Sequence, residues 1–436
     1  MRANIKFLTE NKHIFLKKLI LWAENSDVFC LLGKNESQIH FAGYRGFVNI
    51  AGIGKVSEIK VDSCEAIGFN LFKNYVRDKN DILFGFMGYD LKNQTEKLCS
   101  KNSDGIEMSM LHFFQPEYIF SFSDTDEIEI CYFSDRKCKL EIEELYNTIE
   151  NIVLADENNS AEINFCCRVS KTEYINNVIN IKQHIQLGDA YELNYCIEFF
   201  AENIEINPAQ VYKKLNEISS APFSCLYKID KKYLICASPE RFLKKEGNKI
   251  IAQPMKGTAR RSNNLAEDRK MKEQLSASEK ERAENVMIVD LVRNDLSKTA
   301  IKQSVKAEEL FGIYSFPQVH QMVSTVSSEM REDVNIIDVI KSAFPMGSMT
   351  GAPKVKAMEL IEKFEITKRG LFSGAVGYIT PFNDFDFNVV IRSIQYNADK
   401  KYLSFMVGSA ITINSDPEKE YEECLLKAMA LIEALK

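Results

Sequence analysis

The sequence predicts an α+β fold of large antiparallel β-sheets flanked by helices. Three observations carry this expectation. Residues 223–255, FSCLYKIDKKYLICASPERFLKKEGNKIIAQPM, break into short β-rich runs at Asp-Lys-Lys and Glu-Gly-Asn turns. Residues 372–413, FSGAVGYITPFNDFDFNVVIRSIQYNADKKYLSFMVGSAITI, do the same. Connections this short cannot hold a crossover helix, so both blocks read as antiparallel meanders. Helical periodicity lies between and after them, at 172–187, 277–294, 353–365 and 417–435. Strands grouped apart from helices indicate α+β rather than alternating βαβ units.

The chain has 436 residues, enough for one large domain or two to three ordinary ones. The stretch LADENNSAEIN (154–164) is the most polar and reads as a surface loop. It separates an N-terminal part, 1–155, expected to join the same unit, from a region spanning 165–436. There is no internal repeat or low-complexity linker. A net charge of −7 and the absence of a basic run argue against a nucleic-acid surface. The eleven cysteines contain no C-x-x-C, which suits reduced thiols in a cytoplasmic protein. Lysines interrupt the apolar N-terminal stretch, so it does not read as a signal peptide. No run reaches the roughly eighteen apolar residues that a membrane span needs.

Two helices carry carboxylates in unusual places. On a wheel of SEKERAENVMIVDLVRND (278–295), Glu281 and Glu284 share a face with Met287, Ile288, Leu291 and Val292. The opposite side also carries Ala283, Val286 and Val289, so the helix is expected to be mostly buried. A single glutamate there reads as a charged rim. Two, one turn apart, need a cation or strong donors. The C-terminal helix has Ser415 or Asp416 as its cap and Pro417 in the first turn. Tyr421, Cys424, Leu425, Ala428, Ile432 and Leu435 form its expected core stripe. Glu420, Glu423 and Lys427 line the edge, which alone reads as a salt-bridged surface. Taken with Glu281 and Glu284, they offer a four-carboxylate oxygen site of the kind that suits Mg²⁺.

Anion-binding turns come next. GSMTGAPKVKAMELIEKF (347–364) reads as a Gly/Thr turn leading directly into a helix, where free N–H groups favour an anion. Simple helix capping is the bland alternative, and the spacing does not match a P-loop. A second small-residue turn is read in VGSAITINSDP, before the C-terminal helix. Arg392 interrupts the apolar strand expected at FNVVIRSIQ, a placement suited to two-point grip of a carboxylate.

These residues and motifs together resemble the chorismate-utilising enzymes: anthranilate synthase component I, aminodeoxychorismate synthase component I, and the isochorismate and salicylate synthases. The matching segments are GDAYELNY, ASPERF, PMKGTARR, ERAENVMIVDLVRNDLSKTA, FPQVHQMVSTV, FPMGSMTGAPKVKAMELIE, SGAVGYI, IRSI and VGSAITINSDPEKEYEECLLKA. They run in family order from about residue 165 onward. The N-terminal part matches loosely, through GFMGYD (85–90). The resemblance implies Mg²⁺ on Glu284 and Glu423, with Glu281 and Glu420 close by, holding the ring carboxylate of chorismate. It implies substrate or metal-supporting contacts from Gly257, Thr258, Thr350, Tyr378, Arg392, Gly408 and Lys427. It makes Glu240 the general acid at the C4 hydroxyl, with His320 near the same leaving group.

Within that family Lys256 points to the aminodeoxychorismate branch, since the anthranilate branch usually has alanine there. A neutral lysine amine can attack C2 while the C4 hydroxyl leaves, and ammonia can then enter C4 and expel the lysine. The water-adding branches need a lysine at the position of Glu192, so water addition is not expected. Two departures stand out: Glu192 where glutamine is common, and Ala410 where a third glycine is common, expected to tighten a carboxylate turn. No glutaminase region is recognisable. Ammonia is therefore expected from solution or from a separate class I glutamine amidotransferase, with a lyase needed to reach p-aminobenzoate. The competing readings are anthranilate synthase component I, with Lys256 a bystander, and a catalytically silent chorismate-binding paralogue.

Overall fold

The computed structural model describes residues 1–33, 40–62, 67–96, 98–154 and 163–436, so most of the polar stretch 154–164 lies outside the described residues. The elements of the N-terminal part are β1 (Arg2–Leu8), α1 (Lys12–Ala23), β2 (Val28–Gly33), β3 (Ile50–Val61), α2 (Gly68–Lys79), β4 (Leu83–Met87), β5 (Leu111–Phe122), β6 (Glu127–Phe133) and α3 (Lys139–Glu150). Then follow β7 (Cys166–Cys167), α4 (Lys171–Gln186), β8 (Glu192–Ala201), α5 (Pro208–Ser219), β9 (Phe223–Ile229), β10 (Lys232–Ser238), β11 (Arg241–Glu246), β12 (Lys249–Gln253), β13 (Met255–Arg260), α6 (Leu265–Ala277) and α7 (Glu279–Ser297). The chain continues through β14 (Lys306–Ser315), β15 (Val319–Glu329), α8 (Ile336–Ala343), β16 (Gly351–Ala352), α9 (Lys354–Phe364), β17 (Ala375–Ile379), β18 (Phe385–Asn388), β19 (Ser393–Asn397), β20 (Tyr402–Thr412) and α10 (Pro417–Ala434).

The long strand β5 is the branch point of the sheet. One end pairs with β4 and the other with β6, while β3 runs along its length. From β3 one arm continues through β2, β9, β10, β19 and β20 to β8. From β4 a second arm continues through β17, β18, β11 and β12 to β15, which also carries β13 and β14. All of these ladders are antiparallel, as expected. The two strand-rich blocks are not simple meanders, however. Each splits into hairpins, and the hairpins pair across blocks, β10 with β19 and β11 with β18. N-terminal strands pair with C-terminal ones in the same way, β2 with β9 and β4 with β17.

Burial on both faces explains why so many strands read as unbroken apolar runs. In β2, Phe29 and Leu31 join a core shared with α1, α4, α5, α9 and α10, while Val28, Cys30 and Leu32 face the layer between the arms. In β4, Phe84 and Phe86 enter that same inner layer, and Leu83 and Met87 join a core with α2 and α8. Among the described residues no helix is long and apolar enough to cross a membrane.

Several local expectations need correction. Helix α7 is only half buried: Val286 is exposed, and Ala283 also faces solvent. In α10 the expected stripe holds at Cys424, Ala428 and Leu435, with Tyr421 and Ile432 packed against the core, but Leu425 is exposed and Leu431 and Ala434 are buried as well. The cap is Asp416, which accepts from the amides of Glu418 and Lys419. VGSAIT belongs to β20 itself, so Ala410 lies in a strand opposite Asn194 rather than in a turn. FNVVIRSIQ is two strands, with Arg392 at a left-handed kink (φ 51°) just before β19. Residues 347–349 form a short 3₁₀ turn that enters β16 before α9, so the turn does not lead directly into the helix.

Candidate active site

The far ends of the two arms meet at Lys256. The ladder between β13 and β15 steps from Met255↔Val323 to Thr258↔Gln321, three residues against two. The extra residue is a bulge at Lys256–Gly257, a device that re-aims a side chain. Gly257 adopts φ +95°, and an added Cβ would meet the Glu281 carboxylate at 3.1 Å and Met322 at 3.3 Å. The bulge is tied to α7 by Asn285, whose amide donates to the Lys256 carbonyl at 3.4 Å and accepts from Ser324 at 2.6 Å. Gly257→Ala should therefore cost about 1–2 kcal/mol through backbone strain alone and displace Glu281. A urea midpoint and a chorismate turnover rate both unchanged in that variant would show that the bulge relaxes freely.

The redirected Lys256 amine lies 2.7 Å from Oε1 of Glu192, the first residue of β8 on the other arm. Glu192 is 1% exposed, and its Oε2 is buried with no hydrogen-bond partner among the described residues. Burial works against the Lys256 ammonium. Glu192, by charge and hydrogen bond, and the more distant Glu284 and Glu423 outweigh it, so the proton is held more tightly than on an ordinary lysine.

Glu240 follows β10 and is 4% exposed. Burial pushes its carboxyl up to about 7, while a hydrogen bond from Ser348 (2.6 Å) and the charge of Lys256 hold it down only in part. Ser348 gave no signal in the sequence beyond its place in a Gly/Ser turn. That turn is anchored by Arg369, which donates to the carbonyls of Met349 (2.7 Å) and Asn194 (3.0 Å) and pairs with Glu365.

The four predicted metal acids lie on α7 and α10. Burial raises Glu281 and Glu420, and lifts Glu284 to about 7, where Glu192 and Glu281 add to the rise. Glu423 also feels burial, but Lys427 at 2.7 Å outweighs it and leaves the carboxylate below its usual range. Lys427 in turn donates to the Gly408 carbonyl at 2.8 Å. Among the described residues no three His, Cys, Asp or Glu side chains already converge as a metal cage. Mg²⁺ takes one or two carboxylates plus waters and an anionic ligand. An all-oxygen set of acids, with Glu420 buried, Glu281 and Glu284 half-buried and Glu423 open to solvent, fits that requirement.

Arg392 is partly buried, and its guanidinium makes no hydrogen bond or ion pair among the described residues. Burial lowers its proton affinity against the pull of Glu423. An arginine left open in this way can receive a carboxylate.

The remaining candidates are placed differently. Thr350 is fully buried, and its hydroxyl donates back to the carbonyls of Met346 and Gly347. The amides of Met349 and Thr350 are also used within the turn, whereas the first turn of α9 carries no side-chain cap. The Thr258 hydroxyl is exposed and donates to Gln321 at 3.0 Å. Tyr378 sits on β17 beside Phe84; burial, then Asp386, raises its hydroxyl, and it hydrogen-bonds to no other candidate among the described residues. His320 is buried, with Nδ1 against Ser315 (2.8 Å) and Nε2 against Asp268 (3.1 Å). Both ring nitrogens are therefore occupied. Sequence reasoning missed Asp268 because the few apolar residues of α6 mark no clear buried stripe. Its signal was the Asn264 cap, which accepts from the amides of Ala266 and Glu267.

A lysine, a buried carboxyl shifted upward by burial, an open arginine and two acidic helices around one centre define an enzyme for a small anionic substrate. The chain belongs to the chorismate binding enzyme family, whose pattern it matches over residues 30–433. It is 32% identical to an aminodeoxychorismate synthase component 1 of Bacillus subtilis, over 81% of this chain and 76% of that protein. It is equally 32% identical to an anthranilate synthase component I-like protein of Synechocystis, over 81% of this chain and 72% of that one. The fold matches the crystal structure of anthranilate synthase component I from Streptococcus pneumoniae, with a TM-score of 0.78 over 92% of this chain and 95% of that chain at 22% identity.

Proposed function

We propose that this chorismate binding enzyme is an aminodeoxychorismate synthase component I, forming 4-amino-4-deoxychorismate from chorismate and ammonia. The observation that carries the reading is Lys256, turned inward by the bulge and buried against Glu192. A lysine merely decorating a strand end would be exposed. Its amine attacks C2 as the C4 hydroxyl departs, and ammonia then takes C4 and releases the lysine. Glu240 protonates the departing hydroxyl, and Arg392 grips a substrate carboxylate. Glu284 and Glu423, with Glu281 and Glu420 beside them, would hold Mg²⁺, which supplies positive charge for the ring carboxylate. Lys427 and Gly408 brace Glu423. His320, held by Asp268 and Ser315, supports the strand beside the leaving group. The ammonia is supplied by a class I glutamine amidotransferase chain, and the reaction belongs to p-aminobenzoate and folate biosynthesis in the cytoplasm.

The similarity to the Synechocystis relative favours a second reading, anthranilate formation, in which Lys256 takes no part. Turnover of chorismate with Mg²⁺ and an ammonium salt, with products identified by mass, separates the two. Anthranilate fluorescence would support the second reading, and no loss of chorismate would indicate a silent paralogue.

Glu240→Gln should leave chorismate affinity within a few-fold and lower the saturated rate by about 10²–10⁴-fold, the usual worth of a general acid. The acid form of Glu240 is the one present below its raised value. In the wild type the saturated rate should therefore fall as pH rises through about 7. Collapse of binding with an unchanged saturated rate would make Glu240 a binding residue.

A further inference from the structure

We propose that Glu192 is the catalytic base that takes the proton of Lys256 and so turns it into a nucleophile. This rests on the nucleophile reading given above. The geometry is a direct one. Oε1 stands 2.7 Å from Nζ, with Glu192 1% and the Lys256 side chain 12% exposed. The base is also held in place. Glu192 is paired on both edges of its strand, with Thr412 of β20 and Ala352 of β16, while Lys256 is fixed by the bulge. Two side chains anchored on separate arms meet without long searching motions.

Among the described residues its Oε2 is buried with no hydrogen-bond partner, and the Lys256 ammonium is the one donor seen at the carboxylate. When the substrate ring covers Lys256 and expels water, a charge-separated pair loses solvation while a neutral amine and neutral carboxyl lose little. The proton then passes from Nζ to Oε1. A glutamine amide at this position has no site basic enough to accept it.

The steps balance. Lys256 ammonium gives its proton to Glu192 carboxylate. The amine lone pair forms the bond to C2, both ring double bonds shift by one position, and the C4–O bond breaks, the hydroxyl leaving as water with the proton of Glu240. Ammonia then forms the bond to C4, both double bonds shift back, and the C2–N bond breaks with its electron pair going to Nζ. The released amine recovers the proton from Glu192. Glu240 recovers its own from the new C4 ammonium. The net change is chorismate plus ammonia to aminodeoxychorismate plus water.

The test is the rate of covalent adduct formation between Lys256 and chorismate in ammonia-starved enzyme, followed by quenching and intact-protein mass spectrometry. Chorismate affinity is measured in parallel. Glu192→Gln should slow the adduct by about 10²-fold or more with affinity within a few-fold. Glu192→Asp, which keeps the carboxyl on a shorter arm, should recover part of the loss, as a purely structural role would not require. Adduct formation in Glu192→Gln at or above the wild-type rate overturns the proposal and makes Glu192 a brake that keeps Lys256 protonated. So does a Glu192→Asp variant as slow as Glu192→Gln. Absence of any adduct in the wild type while aminodeoxychorismate still forms overturns the nucleophile reading itself, an outcome distinct from the others.

Discussion

Lys256→Ala is expected to lose the chorismate adduct entirely and aminodeoxychorismate formation by on the order of 10³-fold, as removal of a covalent nucleophile forfeits about 4 kcal/mol of barrier lowering. Residual turnover should shift towards direct ammonia attack at C2, seen as anthranilate fluorescence. The variant has a second effect that must be separated from the first. Without the ammonium, Glu192 is a buried carboxyl with no counter-charge, and breaking a buried pair this way costs about 3–5 kcal/mol. Lys256→Gln, whose amide can still donate to Glu192, should recover much of that stability and none of the activity. Recovery of the full aminodeoxychorismate rate in either variant would reduce Lys256 to an electrostatic contact.

Glu284→Gln and Glu423→Gln should each nearly abolish turnover at ordinary Mg²⁺, since each removes a formal charge from a cation site built on few ligands. Titration calorimetry gives a readout independent of activity. Wild-type enzyme should bind Mg²⁺ in the presence of chorismate, and each variant should bind it far more weakly. The two substitutions differ in a useful way. Glu423 is already braced by Lys427, so its loss also frees Lys427 from its 2.7 Å partner, whereas the ion pair of Glu284 among the described residues is a looser one, with Lys280 at 3.9 Å. Near-normal activity in either variant removes the metal assignment.

The α+β class, four helices and the antiparallel pairing were legible because turn chemistry and periodicity are local signals. The interleaving of hairpins was not, since nothing in 223–255 states that β10 prefers β19 to β11. Helix α7 looked buried because its apolar residues surround it, yet exposed Val286 shows that composition does not fix which side meets the sheet. The few apolar residues of helix α6 mark no clear buried stripe, so it escaped notice, and with it Asp268. The site was read in parts. The acids on α7 and α10, Lys256 and Glu240 stood out by type and motif. Glu192 stood out only as an oddity, because its meaning depends on Lys256, sixty-four positions away and on the other arm. Thr350 and Thr258 were located by motif membership, and tertiary structure adds that their hydroxyls are engaged within the protein.

The branching at β5 also governs when activity becomes possible during synthesis. Glu192 belongs to one arm and Lys256 to the other, Arg392 precedes a strand between β10 and β20, and Glu420 and Glu423 lie on α10. The centre therefore closes only after the ribosome has delivered the chain beyond about residue 427, whatever has folded before. The hairpins are local, but the pairings that join them, β2 with β9, β10 with β19, β8 with β20, β4 with β17 and β11 with β18, link segments far apart in sequence, a topology that slows folding and leaves strand edges unpaired for longer. Nascent chains ended before α10 would hold most of the residues of the sheet and none of the finished centre. Their exposed edges, rather than partial chemistry, would be the property the cell has to manage.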